Sequence, residues 1–192
     1  VPARTRLVLA GAVSLLVAPL VTPPVGITAF SLAGLVVTIQ QVIIGIAIGF
    51  ALQVLFDAVS MGGQLLANSM GLSFAFNVDP MRGTSTPALG QLYALMVMLT
   101  FLALNGHLAL VEMLVQGFNT LPVGTNGLSS EALWTIVAWG SQIFSGARAV
   151  ALPGITALLI VNLAFGIVSR AAPTLNLFAV GFPISLVFGL VI

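Results

Sequence analysis

Few side chains in this sequence could do chemistry. It contains one histidine, four carboxylates and no cysteine. The carboxylates are Asp57, Asp79, Glu112 and Glu131, in separate segments. The sequence has no HExxH, GxSxG, phosphate-binding loop or dinucleotide fingerprint. Because catalysis needs a convergent set of attacking, proton-transferring or metal-binding groups, we expect no enzyme, no cofactor and no metal.

His107 follows Asn105-Gly106 at an expected break between helices, and two interpretations are open. A histidine within a membrane can titrate and relay protons. A histidine near a helix end can also bond a free carbonyl group, which is the interpretation we favour. Glu112 lies five positions further on, a spacing that does not place it beside His107 on a helix.

The composition indicates a protein surrounded by lipid or by other apolar subunits. Hydrophobic residues make up 59% and charged residues 5% of the chain, against roughly 25% charged in a soluble domain. The net charge of +1 gives no reason to expect nucleic acid as a partner. Asp57 and Arg148 stand alone in apolar regions. Each could meet a charged partner, either the other or one on a neighbouring subunit, or could lie in a wet cavity or at an interface.

The apolar runs predict an all-α, membrane-type bundle of long, kinked helical hairpins with an internal irregular loop. They are longer than barrel strands of about 10 residues, and they do not alternate with a period of two. Pro153 should bend its helix without ending it. Ser129 or Ser130 should cap the next helix after the loop at 119–130. Helical segments are expected at 7–20, 27–56, 58–70, 88–104, 108–118, 131–170 and 177–192.

The sequence begins without methionine and is apolar up to its last residue. We expect further chain beyond both ends.

Small and amide side chains indicate where helices could pack. Gly45 and Gly49 form a small-xxx-small pair, so one helix face could approach another backbone closely. Buried amides need hydrogen-bond partners across helix or subunit interfaces. The amides expected to take part are Gln40, Gln41, Asn68 and Asn162.

The stretch GLSFAFNVDP, residues 71–80, interrupts the apolar pattern. Gly71 permits unusual φ angles, and Pro80 pushes Asp79 out of the helical region. Irregular backbone at apolar depth must be buried in protein or line a water-filled space. Phenylalanine and methionine suit a constriction that can open again. The residue types alone favour the simpler interpretation, a re-entrant turn packed in the core.

Three blocks of sequence resemble the flagellar biosynthetic protein FliR family. They are MGLSFAFNVDP at 70–80, FLALNGHLALVEMLVQGFNTLPVG at 101–124 and RAAPTLNLFAVGFPISL at 170–186. Their order agrees with the family, and the resemblance covers essentially the whole chain.

The resemblance implies a component of the flagellar type III export apparatus in the bacterial inner membrane and the flagellar basal body. FliR-like proteins assemble with FliP and FliQ into a channel for unfolded flagellar subunits, and a FlhB-type switch protein is a further expected partner. The resemblance divides the chain into a FliP-like part, 1–124, and a FliQ-like hairpin, 125–192.

The resemblance also assigns 71–87 as a plug loop that helps to close the channel, which reverses the preference for a simple turn. Phe74, Phe76 and Met70 become the expected sealing side chains. The full set of gate residues that it implies is Met70, Gly71, Phe74, Phe76, Asp79 and Pro80.

Other functions fit less of the sequence. An injectisome export paralogue shares the same chemistry, and neighbouring hook or needle genes would tell the two apart. A small-solute transporter would need an inverted repeat and a polar midplane site, and neither is apparent. A pure assembly scaffold would line no channel.

Overall fold

The computed structural model describes residues 2–21, 28, 30–72, 88–124, 128–171 and 177–191. These residues contain no strand, so the all-α prediction is confirmed for them. The helices are α1 (Ala3–Val17), followed by a 3-10 turn (Ala18–Leu20), α2 (Leu32–Ser69), α3 (Ala88–Ala103), α4 (Gly106–Thr120), α5 (Ser130–Trp139), α6 (Gln142–Ala171) and α7 (Leu177–Val191).

Three helical stretches are long and apolar enough to cross a membrane: Ala3–Leu20, Leu32–Ser69 and Ser130–Ala171, the last of which includes both α5 and α6. The bent pair α3 and α4 would make a fourth if it counts as one span. This agrees with the membrane class that the composition predicts.

Several predicted boundaries are confirmed by local geometry. Asn105 takes a left-handed φ of 56°, and α3 and α4 meet there at an angle of 67°. The Ser129 hydroxyl accepts a hydrogen bond from the Ala132 amide at 3.1 Å, so Ser129 caps α5. Pro153 lies inside α6 without ending it.

Two predicted boundaries are wrong. We predicted a helix end at Asp57, but α2 continues through it to Ser69. The Gln53 amide donates to both Asp57 carboxylate oxygens, at 3.3 and 3.2 Å, from one turn earlier, so the carboxylate is bonded within the helix. We also predicted one helix from 131 onward, but Gly140 and Ser141 form a turn, with amide bonds to the carbonyl groups three residues back.

The chain forms two compact units. One comprises Val1–Gly49 and Phe101–Trp134, and its buried apolar side chains, among described residues, are Val17 and Val37. The other comprises Phe50–Thr100 and Thr135–Ile192 and has a larger buried core. Each unit takes segments from both sides of residue 124, so this grouping is not the predicted division into 1–124 and 125–192, which stays a prediction.

The second unit is held together by helices in very close contact. A Cβ atom placed at each of three glycines would overlap a side chain of the facing helix. The pairs are Gly62 with Val150 Cβ (2.9 Å), Gly146 with Ala58 Cβ (2.9 Å) and Gly154 with Leu66 Cδ1 (2.6 Å). The sequence separation is the same in all three pairs, so α2 and α6 run side by side in the same direction. One residue of each pair is small, which allows this approach, as in membrane helix pairs.

We expect Gly62→Ala to destabilise the isolated full-length protein by about 1–3 kcal/mol, because the added methyl group must push Val150 and the Ala147 carbonyl aside. Gly45→Ala is the matched control, since no atom lies within 4 Å of a Cβ placed there. Thermal unfolding in mild detergent measures both variants. Equal midpoints for the two would contradict the contact.

Candidate functional site

The candidate site begins where α2 ends, at the residues before the predicted plug loop. The Leu72 amide donates to the Ala67 carbonyl and the Gly71 amide to the Asn68 carbonyl, both at 3.1 Å. Gly71 has a φ of 78°, in the left-handed region. This bond pair with a left-handed glycine is a Schellman motif, which ends a helix and satisfies its last carbonyl groups. Gly71 therefore fixes the direction in which the chain leaves α2.

Met70 is buried, with 2% of its surface exposed. It belongs to an apolar cluster with Leu66, Ala67, Leu89 and Leu158, and Leu72 packs against this cluster. The thioether also fills the space that Gly189 of α7 leaves open, since a Cβ there would lie 2.5 Å from the Met70 sulfur. Methionine suits such a gap because its side chain is flexible and polarizable. The residue that precedes the predicted loop is thus anchored to three other helices.

The returning limb is also held against α2. The Ser60 hydroxyl donates to the Gly90 carbonyl at 3.4 Å, and a Cβ at Gly90 would lie 2.7 Å from Cγ of Gln64. A Cβ at Gly63 would similarly overlap the Tyr93 side chain. The segment between residues 72 and 88 therefore joins two ends that are both packed on the last turns of α2.

The other predicted gate residues, Phe74, Phe76, Asp79 and Pro80, lie outside the described residues. Within the site, the structure brings together Met70 and Gly71 with the core of the second unit.

The predicted packing residues are found in varied surroundings. No atom lies within 4 Å of a Cβ placed at Gly45 or Gly49, so neither contacts another helix in the described chain. Gln40 and Gln41 are half-buried, and Asn68 is exposed.

Asn162, one of the four predicted amides, bonds across two helices. The buried Ser185 of α7 donates its hydroxyl hydrogen bond to the Asn162 Oδ1 atom of α6, at 3.4 Å.

Among the residues that the structure describes, the titratable side chains do not form a reactive group. His107 and Arg148 are exposed, and Glu112 accepts a hydrogen bond from Gln116 at 3.2 Å. Asp57 is bonded to Gln53 of its own helix and not to Arg148. No cluster of three or more metal-binding side chains occurs in the part of the chain that the structure describes.

Sequence reasoning missed the residues that pack α2 against α6. It identified Gly45 and Gly49, but the same spacing of small residues also occurs at Ala58 and Gly62, and Gly146 and Gly154 lie at twice that spacing. The signal was therefore present. The sequence alone does not tell which pair of small residues packs against another helix of this chain.

Comparison with known proteins decides the family. The family model described as bacterial export proteins, family 1, matches residues 1–192. The chain belongs to this family. The flagellar biosynthetic protein FliR of Escherichia coli (strain K12) is 42% identical over 99% of this chain and 72% of its own length. FliR of Pectobacterium carotovorum is 38% identical over 97% of this chain and 71% of its own length. FliR of Aquifex aeolicus is 31% identical over 100% of this chain and 74% of its own length.

These matches confirm the resemblance to the FliR family that the three sequence blocks indicated. They cover the chain end to end, so in the export family the buried Met70 and its cap at Gly71 lie within the shared region and not in an unrelated insertion.

Replacing Gly71 tests the helix cap. Gly71→Ala should cost about 1 kcal/mol or more, because an L side chain is strained at a φ of 78°. Gly71→Asn should cost less, since asparagine tolerates this conformation. Thermal unfolding of the full-length protein in detergent measures the order. An alanine variant as stable as the parent would show that the cap contributes nothing.

Proposed function

We propose that this chain is a component of the flagellar type III protein export gate. The observation that carries the proposal is its family: the bacterial export model matches the whole chain, and the similar relatives are named flagellar biosynthetic proteins. The stretches long and apolar enough to cross a membrane fit a place in the bacterial inner membrane, at the flagellar basal body. The flagellar names of the relatives favour a flagellar over an injectisome system.

In this proposal the chain assembles with FliP and FliQ, and with a FlhB-type switch protein, into a channel for unfolded flagellar subunits. Residues 1–124 are its FliP-like part and 125–192 its FliQ-like hairpin. The rows of apolar side chains that the described helices α1, α2 and α6 leave exposed suit contact with lipid or with apolar neighbouring subunits. The role is one of conduction and not catalysis.

The segment 71–87 helps to close the channel in this proposal. The support is geometric: the described residues on either side of it are packed against the second unit, Met70 in its apolar cluster and Gly90 against α2. Met70 and Gly71 anchor the segment, and the side chains of Phe74 and Phe76 seal the channel. Apolar packing that involves no covalent bond can yield to a passing chain and form again.

Co-expression of the full-length protein with its FliP and FliQ neighbours tests the assembly. We expect native mass spectrometry, after purification in mild detergent, to detect one discrete hetero-oligomer. A monomer or homodimer that retains neither neighbour would overturn the export-gate proposal.

Replacing the aromatic seal tests the closing role. We expect Phe74→Ala to let ions through the resting channel while assembly stays intact, because a smaller side chain leaves a gap. The matched control is Phe144→Ala, an exposed aromatic side chain on α6. Ion conductance across the membrane is the measurement. If Phe74→Ala conducts no more than the control, then this side chain does not seal the channel.

A further inference from the structure

The second half of α2 carries a row of polar side chains along one side. They recur every three or four residues, which places them on one side of a helix. We call them the polar stripe: Gln53, Asp57, Ser60, Gln64 and Asn68. The same half of the helix packs through a different side, which contains Val54, Ala58, Gly62 and Leu66.

The polar stripe remains accessible in the folded unit. Gln53 and Asn68 are exposed, and the three residues between them are half-buried. Ser60 and Gln64 lie beside Gly90 at the start of α3, which covers part of their surface. The stripe therefore follows the edge of the contact between α2 and α3.

Lipid is an unfavourable neighbour for this surface. A carboxylate within the apolar part of a membrane helix is unfavourable, and each amide that loses its hydrogen bonds in an apolar medium adds to this cost. The bond from Gln53 satisfies part of the Asp57 carboxylate but leaves other acceptor positions of that carboxylate open. The stripe thus requires water or a polar partner.

The types of side chain indicate which polar partner fits. Glutamine, asparagine and serine each donate and accept hydrogen bonds, and the stripe contains one charge. A polypeptide backbone offers one donor and one acceptor at nearly every residue, whatever its sequence. From Gln53 to Asn68 the helix rises about 22 Å, which is the length of about seven residues of extended chain.

We propose that the polar stripe is a contact surface for the backbone of an extended, unfolded polypeptide. This inference rests on the proposed export function and adds to it a substrate-contact surface that does not include residues 71–87. The stripe ends at Asn68, three residues before the Gly71 cap.

Site-specific photo-crosslinking in the assembled complex tests the surface. A photoreactive amino acid replaces Gln53 or Asn68 in the full-length protein, and a flagellar substrate is stalled during export. The matched control is Leu55, an apolar position with 51% of its surface exposed, outside the stripe. We expect the stalled substrate to crosslink to the photoreactive residue at both stripe positions and not at position 55.

A second measurement uses single cysteines, because residues 1–192 contain none, and any cysteine elsewhere in the full-length protein is first replaced by serine. Single cysteines at the same three positions should react with a water-soluble, membrane-impermeant thiol reagent at 53 and 68, and not at 55. A stalled substrate should protect the two stripe positions from this reaction.

The outcomes separate the two proposals. Crosslinks from both stripe positions to another subunit, to lipid or to nothing would overturn the polypeptide-contact surface, even if the chain supports export of the substrate. If deletion of the chain leaves export unchanged, then the proposed function fails and the stripe proposal fails with it. Substrate crosslinks from Leu55 equal to those from Gln53 would overturn the assignment of the surface to the stripe.

Discussion

Close contact between α2 and α6 is the constraint on which the second unit depends. Three glycines without side chains, Gly62, Gly146 and Gly154, let the two helices approach until a methyl group would overlap its neighbour. Water is not displaced from between helices in a membrane, so dispersion contacts at short range must supply most of the attraction. A glycine in each contact pair is what makes the range short enough.

The same contact determines where the candidate site lies. Along α2 the residues that face α6 continue at spacings of four to Leu66 and then to Met70. The Met70 side chain fills the space left by Gly189, and the Gly71 cap follows directly after it. The start of the predicted plug loop, at Met70 and Gly71, is therefore an extension of the helix contact, and the position of these two residues follows from the packing of the unit.

Much of this organisation could be predicted from sequence, because many boundaries depend on local signals. The break at Asn105, the cap at Ser129 and the tolerated Pro153 were predicted from residue types and were confirmed. The predicted end at Asp57 is wrong because a charged side chain need not end a helix: the Gln53 amide, one turn away in the same helix, bonds both carboxylate oxygens and satisfies part of their hydrogen-bonding capacity.

The candidate site was less accessible to such reasoning. The burial of Met70 depends on Gly189, more than a hundred residues away, and no local pattern connects the two. Likewise, Gly45 and Gly62 have the same chemistry, and only the three-dimensional arrangement shows that Gly62 faces a helix of this chain and that Gly45 does not.

The two packed ends on either side of the predicted plug loop have a consequence for the spacing between them. The cap at Gly71 and the contact at Gly90 both involve the last turns of α2. A rigid shift of α2 against α6 therefore carries both ends together, as long as the bond between Ser60 and Gly90 holds. The distance between the two ends thus depends on one helix and its nearest contact, and not on the arrangement of the other helices in the unit.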